Sequence, residues 1–251
     1  MPSLQEIVDY CDERLNLTAI TDFKGAENGI QFQNNGTVTK VGAAVDAGLV
    51  PFQKAVEANV DLLIVHHGMF WGPAFPITGK RYEKYKICME SNLAVYGAHL
   101  PLDAHKEIGN NALLAKKLDL KQLDWFLEYE RNPIGLITEG GITRQELKNR
   151  LRSTFPEGFK AIEKGSEKPK KIAILTGSGA SAVSELVAEG VDTLITGELK
   201  QNHFNEAEES ELNLYTCGHY ATETFGVCAL AKEISTQFEL DWEFIATDCP
   251  I

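Results

Sequence analysis

Apolar runs of four to six residues punctuate the chain at 41–45, 61–65, 93–98, 172–175, 193–196 and 212–217. Runs this short and this continuously apolar predict strands buried on both faces. Helical spacing fills the gaps between them. Pro51 stands where a first helical turn tolerates it, and Phe52, Ala55 and Val56 follow at helical intervals. Residues 181–188 repeat that pattern, with Gly190 as the expected stop. Strand and helix in alternation predict an α/β protein with mostly parallel central strands.

The pattern also repeats itself. Shifted by 131 positions, residues 40–65 lie on 171–196 without a gap, and seven of the 26 pairs are identical, among them Gly48/Gly179, Asp61/Asp192 and Ile64/Ile195. The next strand of each half matches at a shift of 120, where G-A-H-x-x-x-D (97–103) falls on C-G-H-x-x-x-E (217–223). The first half therefore carries 11 extra residues, and the aromatic, loop-like stretch 68–81 is their expected place. Two related α/β sandwich halves follow, 1–128 and 129–251, joined near 124–133.

Composition narrows the setting. With 43% hydrophobic and 24% charged residues, the 251-residue chain is ordinary for a globular protein and excludes a wholly disordered one. A formal net charge of −12 opposes a phosphate backbone, which argues against nucleic acid as a partner and against a ring encircling DNA. The start, MPSLQEIVDYCDERL, carries acids where a leader carries Lys or Arg, and no run approaches the roughly 18 apolar residues of a membrane span. The five cysteines are odd in number and form no C-x-x-C, which fits a reduced, cytoplasmic location without membrane attachment.

The histidines carry the chemistry. His66 and His67 follow the run 61–65, His99 follows 93–98 and His219 follows 212–217. Strand carboxyl ends are where open α/β sheets bind ligands. Asp103 and Glu223 each stand four residues beyond a histidine, one helical turn away on the same face, with Pro101 confined to a first turn. Imidazole with carboxylate is a donor set for Zn, Fe or Mn. Adjacent residues of an extended chain point to opposite sides, so His66 and His67 suit two ions about 3.5–4 Å apart better than one. The set His66, His67, Asp103, His219 and Glu223 would then hold two divalent metal ions, with His99 as ligand, backing group or proton carrier. A lone strand-end histidine is usually a hydrogen-bonded structural residue. Four of them with two matched acids at repeated positions shift the balance to metal.

Other residues read more plainly. Thr176-Gly177-Ser178-Gly179 lacks the third glycine of a dinucleotide loop and the lysine of a P-loop, so a structural turn is expected. Glu198 falls opposite His67 in the repeat and is either a site or a surface residue. His203 and His105 are expected at the surface and Cys217 in a strand core. Phe70, Trp71 and Phe75 form a lid, an oligomer contact or plain packing.

The ordered segments DLLIVHHG (61–68), GAHLPLD (97–103) with GNN (109–111), LTGSG (175–179), DTLITGELK (192–200) and GHYATE (218–223) resemble the NIF-three-like family, the GTP cyclohydrolase 1 type 2 homologues, over nearly the whole chain. The resemblance implies that the His-His pair, the Asp of H-x-x-x-D and the His and Glu of GHxxxE hold two metal ions. Those are again His66, His67, Asp103, His219 and Glu223. It also implies two similar α/β halves with the metal site in the cleft between them, and a toroidal homohexamer built as a trimer of dimers. Many members have Pro after the His-His pair where this chain has Gly68, and longer members carry a central domain that it lacks. The expected activity is that of a metal-dependent hydrolase on a small molecule, a nucleotide or phosphoester, with His99 as the catalytic proton carrier. A metal-storing, metal-delivering or regulatory hexamer without catalysis is the alternative.

Overall fold

All six predicted runs underlie strands in the computed structural model, which describes residues 1–250. The chain begins with α1 (Leu4–Arg14), whose cap is Ser3 paired reciprocally with Glu6. It continues through β1 (Gly29–Phe32), β2 (Lys40–Asp46), α2 (Leu49–Glu57), β3 (Leu62–His67), α3 (Gly79–Glu90), β4 (Ala94–Gly97) and the single turn α4 (Leu100–Asp103). After α5 (Asn110–Lys117) come β5 (Gln122–Tyr129), β6 (Asn132–Glu139), α6 (Arg144–Thr154), β7 (Lys160–Glu163) and β8 (Lys171–Ser178). The last stretch holds β9 (Thr193–Glu198), α7 (His203–Glu209), β10 (Asn213–Thr216), α8 (His219–Thr222), α9 (Thr224–Phe238) and β11 (Asp241–Phe244).

Two compact units result. The first is Met1–Leu102 with Gly226–Asp248, and the second is built on Asp103–Phe225. The first unit's sheet runs β1-β4-β3-β2-β11, parallel except for β1 at its edge. The second unit's sheet runs β5-β6-β8-β9-β10-β7, with β8, β9 and β10 parallel and β6 and β7 antiparallel beside them. The sequence repeat is thus a repeat of topology: β2-β3-β4 corresponds to β8-β9-β10. In each unit an antiparallel strand, β1 or β7, covers the third of these. Phe52, Leu63, Val65, Leu93 and Val95 centre one core, and Leu136, Leu147, Ile172, Ile195 and Tyr215 the other.

Five strands have no apolar run to announce them. Half of the residues of β5, β7 and β11 are exposed, so polar residues dilute the pattern. Pro133 and Gly135 disguise β6 as a loop, although that strand is largely buried. The stretch 124–133, expected as a joint, is part of a β-hairpin. It turns at Glu130 and Arg131, whose φ values of 47° and 70° let Tyr129 pair directly with Asn132. The helix expected over 181–188 is also corrected. Only Val183–Glu185 is helical, as a 3-10 turn closed by Glu185 N–H donating to the Ala182 carbonyl. Ala182, Val183 and Leu186 are the side chains this turn buries. Gly190 ends the segment at φ 65°, as expected.

Candidate metal centre

In the first unit, β3 delivers His66 and His67 at its carboxyl end, and His99 follows β4 on the neighbouring parallel strand. His66 is fully buried and its Nδ1 lies 2.8 Å from the Ala98 carbonyl. A carbonyl only accepts, so Nδ1 carries the proton and Nε2 the lone pair that can bind a metal. His67 Nδ1 sits 2.9 Å from Asp46 Oδ1, and Asp46 is its register partner on β2. His99 Nδ1 sits 2.8 Å from Asp22 Oδ1. The His66 ring centroid is 4.9 Å from those of both His67 and His99, and one ligand atom from each of the three lies within 4.8 Å of the others. Strand alternation does not part His66 from His67 as the sequence suggested. They sit at the end of β3, where pairing with β4 stops at Val65 while pairing with β2 runs on to His67. At Gly68 the Gln31 amide lies against the main chain, and a Cβ would displace that side chain.

In the second unit, α8 starts at His219 after Gly218, whose φ of 95° redirects the chain off β10. One turn later Glu223 is buried, its Oε1 3.2 Å from His219 Nε2. Glu198, the last residue of β9, places its Oε1 3.1 Å from His219 Nδ1. The hydrogen bond with Glu223 pushes His219 up to about 9 despite burial, and Glu198 adds to the effect. Gly177, at φ 67°, makes the room: a Cβ there would stand 2.2 Å from Glu223 Oε1. Asp103 ends α4, is buried, and accepts from Asn110 Nδ2 at 2.8 Å. The next residue, Asn111, ties α5 to two strands, accepting from Thr176 N–H at 2.9 Å and donating to the Ile134 carbonyl at 2.8 Å.

The expected ligands therefore divide as His66 and His67 in the first unit and Asp103, His219 and Glu223 in the second. The donors suit a borderline divalent metal. His66 is held with Nε2 as its basic nitrogen, and the His66–His67–His99 group could hold an ion. Sequence reasoning did not reach the backing groups Asp22, Asp46 and Ala98, because each faces its histidine from a distant part of the chain. Trp71 lies 4.8 Å from the His99 ring and 6.0 Å from His67, while Phe75 is exposed under the Arg81 guanidinium. His203, expected at the surface, is buried instead, because its Nδ1 folds back to the Lys200 main chain and starts α7. His105 is half-buried and accepts from Glu107 and Ile108 N–H groups. Cys217 is in the core, its thiol pushed up to about 12 by burial. Among the described residues no helix is long and apolar enough to cross a membrane.

Comparison with known proteins places these features in a wider set. Residues 2–250 match the profile of the family described as Duf34/NIF3 (NGG1p interacting factor 3). A "GTP cyclohydrolase 1 type 2 homolog" of Deinococcus radiodurans is 38% identical over 244 residues, covering 96% of this chain and 91% of that protein. Among solved structures, TTHA1606 from Thermus thermophilus is 35% identical with a TM-score of 0.87, covering 99% of this chain and 100% of that one. Protein ybgI, described as of unknown function, is 32% identical with a TM-score of 0.92 and the same coverage.

Proposed function

The chain belongs to the Duf34/NIF3 family, and from that membership we propose that it is a two-metal hydrolase acting on a nucleotide or phosphoester. His66, His67, Asp103, His219 and Glu223 are its metal ligands, serving two divalent ions drawn from Zn, Fe and Mn. The observation that carries the reading is the histidine group of the first unit, whose ligand atoms lie within 4.8 Å of one another with each Nδ1 against an acceptor. When bound, the two ions supply Lewis acidity and bring the ionisation of water toward neutral pH. The chain's own residues do the rest. Ala98 and Asp46 orient His66 and His67 through Nδ1, and Glu198 orients His219. His99 accepts and returns a proton at Nε2, since its Nδ1 is committed to Asp22. The name carried by the Deinococcus relative makes GTP ring opening one reaction to try. The working form in this proposal is a cytoplasmic homohexamer.

Elemental analysis of the purified chain beside a His67→Ala, Glu223→Ala double variant tests the reading. About two Zn, Fe or Mn ions per chain, lost in the variant, are expected. A chain that stays empty after incubation with each metal would end it. Metal-loaded protein is then screened against GTP, phosphodiesters and cyclic amides, with its mass in solution measured alongside. Bound metal without turnover of any of them favours the storage or regulatory alternative.

A further inference from the structure

The segment 22–28 reaches His99 from more than 70 positions away and holds it at two points. Asn28 Oδ1 accepts from His99 N–H at 2.7 Å. That bond fixes which way the Asn28 amide faces, so its Nδ2 donates to Asp22 Oδ2 at 2.8 Å. Asp22 Oδ2 also accepts from Leu100 N–H at 3.0 Å, and Oδ1 accepts from Phe23 N–H at 2.6 Å. Main-chain N–H groups can only donate, so the carboxylate is an acceptor on both oxygens before His99 is considered. Its side chain is 4% exposed. Burial alone would raise this carboxyl, yet the bonds from His99, Asn28 and Phe23 hold it below the ordinary carboxylate value.

The segment is itself braced. Gly72 N–H donates to the Gly25 carbonyl at 3.0 Å, and the two backbones approach so closely that a Cβ on Gly25 would stand 2.7 Å from Gly72 Cα. Phe23 and Trp71, one from each braced loop, flank the His99 ring at 5.7 and 4.8 Å. His99 is thereby gripped through its main chain, its Nδ1 and the sides of its ring.

We propose that Asp22 is a positioning residue for His99: its carboxylate holds the neutral ring in the Nδ1–H form and presents Nε2 beside His66 and His67 as the proton-accepting nitrogen. The role of that nitrogen rests on the hydrolase reading, whereas the tautomer stands independently of it. A neutral imidazole without such a partner favours the Nε2–H form, so removing Asp22 should turn the acceptor into a donor. His66, held by the Ala98 carbonyl, is the internal control because Asp22 does not touch that bond.

The experiment is ring nitrogen and proton NMR of the histidine-labelled full chain, Zn-loaded and chelator-treated, at a pH where His99 is neutral. In the wild type, His99 is expected as a single Nδ1–H form with a strongly deshielded Nδ1 proton. Asp22→Ala loses that signal and moves His99 to the Nε2–H form, leaving the tautomer of His66, held by the Ala98 carbonyl, unchanged. If the alanine variant fails to fold, Asp22→Asn is isosteric but turns its NH2 either toward the Leu100 N–H and the Asn28 amide or toward His99 Nδ1, and in either orientation the strongly deshielded Nδ1 proton should move upfield or be lost. Wild-type His99 protonated on Nε2, or an Nδ1 signal indifferent to position 22, overturns the proposal. A chain that takes up no Zn but shows the Asp22-dependent tautomer defeats the hydrolase reading alone.

Discussion

The two units answer the same positions with different chemistry. Under the 131-residue shift Asp46 corresponds to Gly177 and His67 to Glu198, and under the 120-residue shift His99 corresponds to His219. In the first unit the strand-end acid Asp46 backs the strand-end His67, and His99 is backed from outside the repeat by Asp22. In the second unit the acid has moved to the other strand. Glu198 backs His219 directly, and the vacated position is Gly177, which opens the space filled by Glu223. One topology thus yields an imidazole-rich group in one unit and a histidine between two carboxylates in the other. Duplication conserved where side chains are delivered while their chemistry diverged.

The sharpest way to break this comparison is to fill the space at Gly177. Gly177→Ala places a Cβ on Glu223 Oε1 at a left-handed backbone position, which by itself costs about 1–2 kcal/mol. Urea unfolding should show at least that loss, with a fall in bound metal. The counterpart Asp46→Gly removes only a half-exposed partner and should cost less than about 1 kcal/mol. Equal losses at the two positions would deny the division of labour.

Next in size is the backing carboxylate of His219. Glu198→Gln should weaken metal binding roughly 10–100-fold by competition titration, with the fold intact. Asp46→Asn should act in the same direction and to a similar degree, because its bond to His67, with Asp46 47% and His67 27% exposed, is about as open to water as that of Glu198 (52%) with His219 (29%).

The last expected effect is a pH dependence that His219 of the second unit contributes. In the metal-free chain His219 is raised from an ordinary value of about 6.5 to about 9. Its proton therefore stabilises the fold fully below about 6.5, and that contribution drains away as pH rises toward about 9. Melting temperatures of the metal-free chain at pH 6 and 9.5 should differ less in Glu223→Gln than in the wild type. A metal at this ring displaces the same proton, so metal affinity should strengthen over the same interval.

Legibility in the sequence tracked burial and local spacing. The six central runs were legible because parallel strands covered on both faces need unbroken apolar residues, and β3 and β9 differ by the same 131 positions that relate their sequences. The pair His219 and Glu223 was legible because one helical turn separates them. Hidden from that reading were β6, behind Pro133 and Gly135, and the half-exposed strands β5, β7 and β11, whose polar residues match any loop. The buried state of His203 was hidden too, since a histidine in a polar stretch gives no sign that its ring will fold onto its own main chain.

By itself the sequence determined the alternating architecture, the duplication and the delivery of histidines and acids to strand ends, all of which follow from periodicity within a few residues. Only the tertiary structure decided which nitrogen of each ring is engaged. Asp22 meets His99 across 77 positions and Asp46 meets His67 across 21, and a hydrogen bond depends on where folding brings two atoms together. The same holds for α9 and β11, which return the end of the chain to the first unit's sheet beside β2. That strand pairing, like the Asp22–His99 bond, is a contact between distant segments, and local pattern carries no record of it.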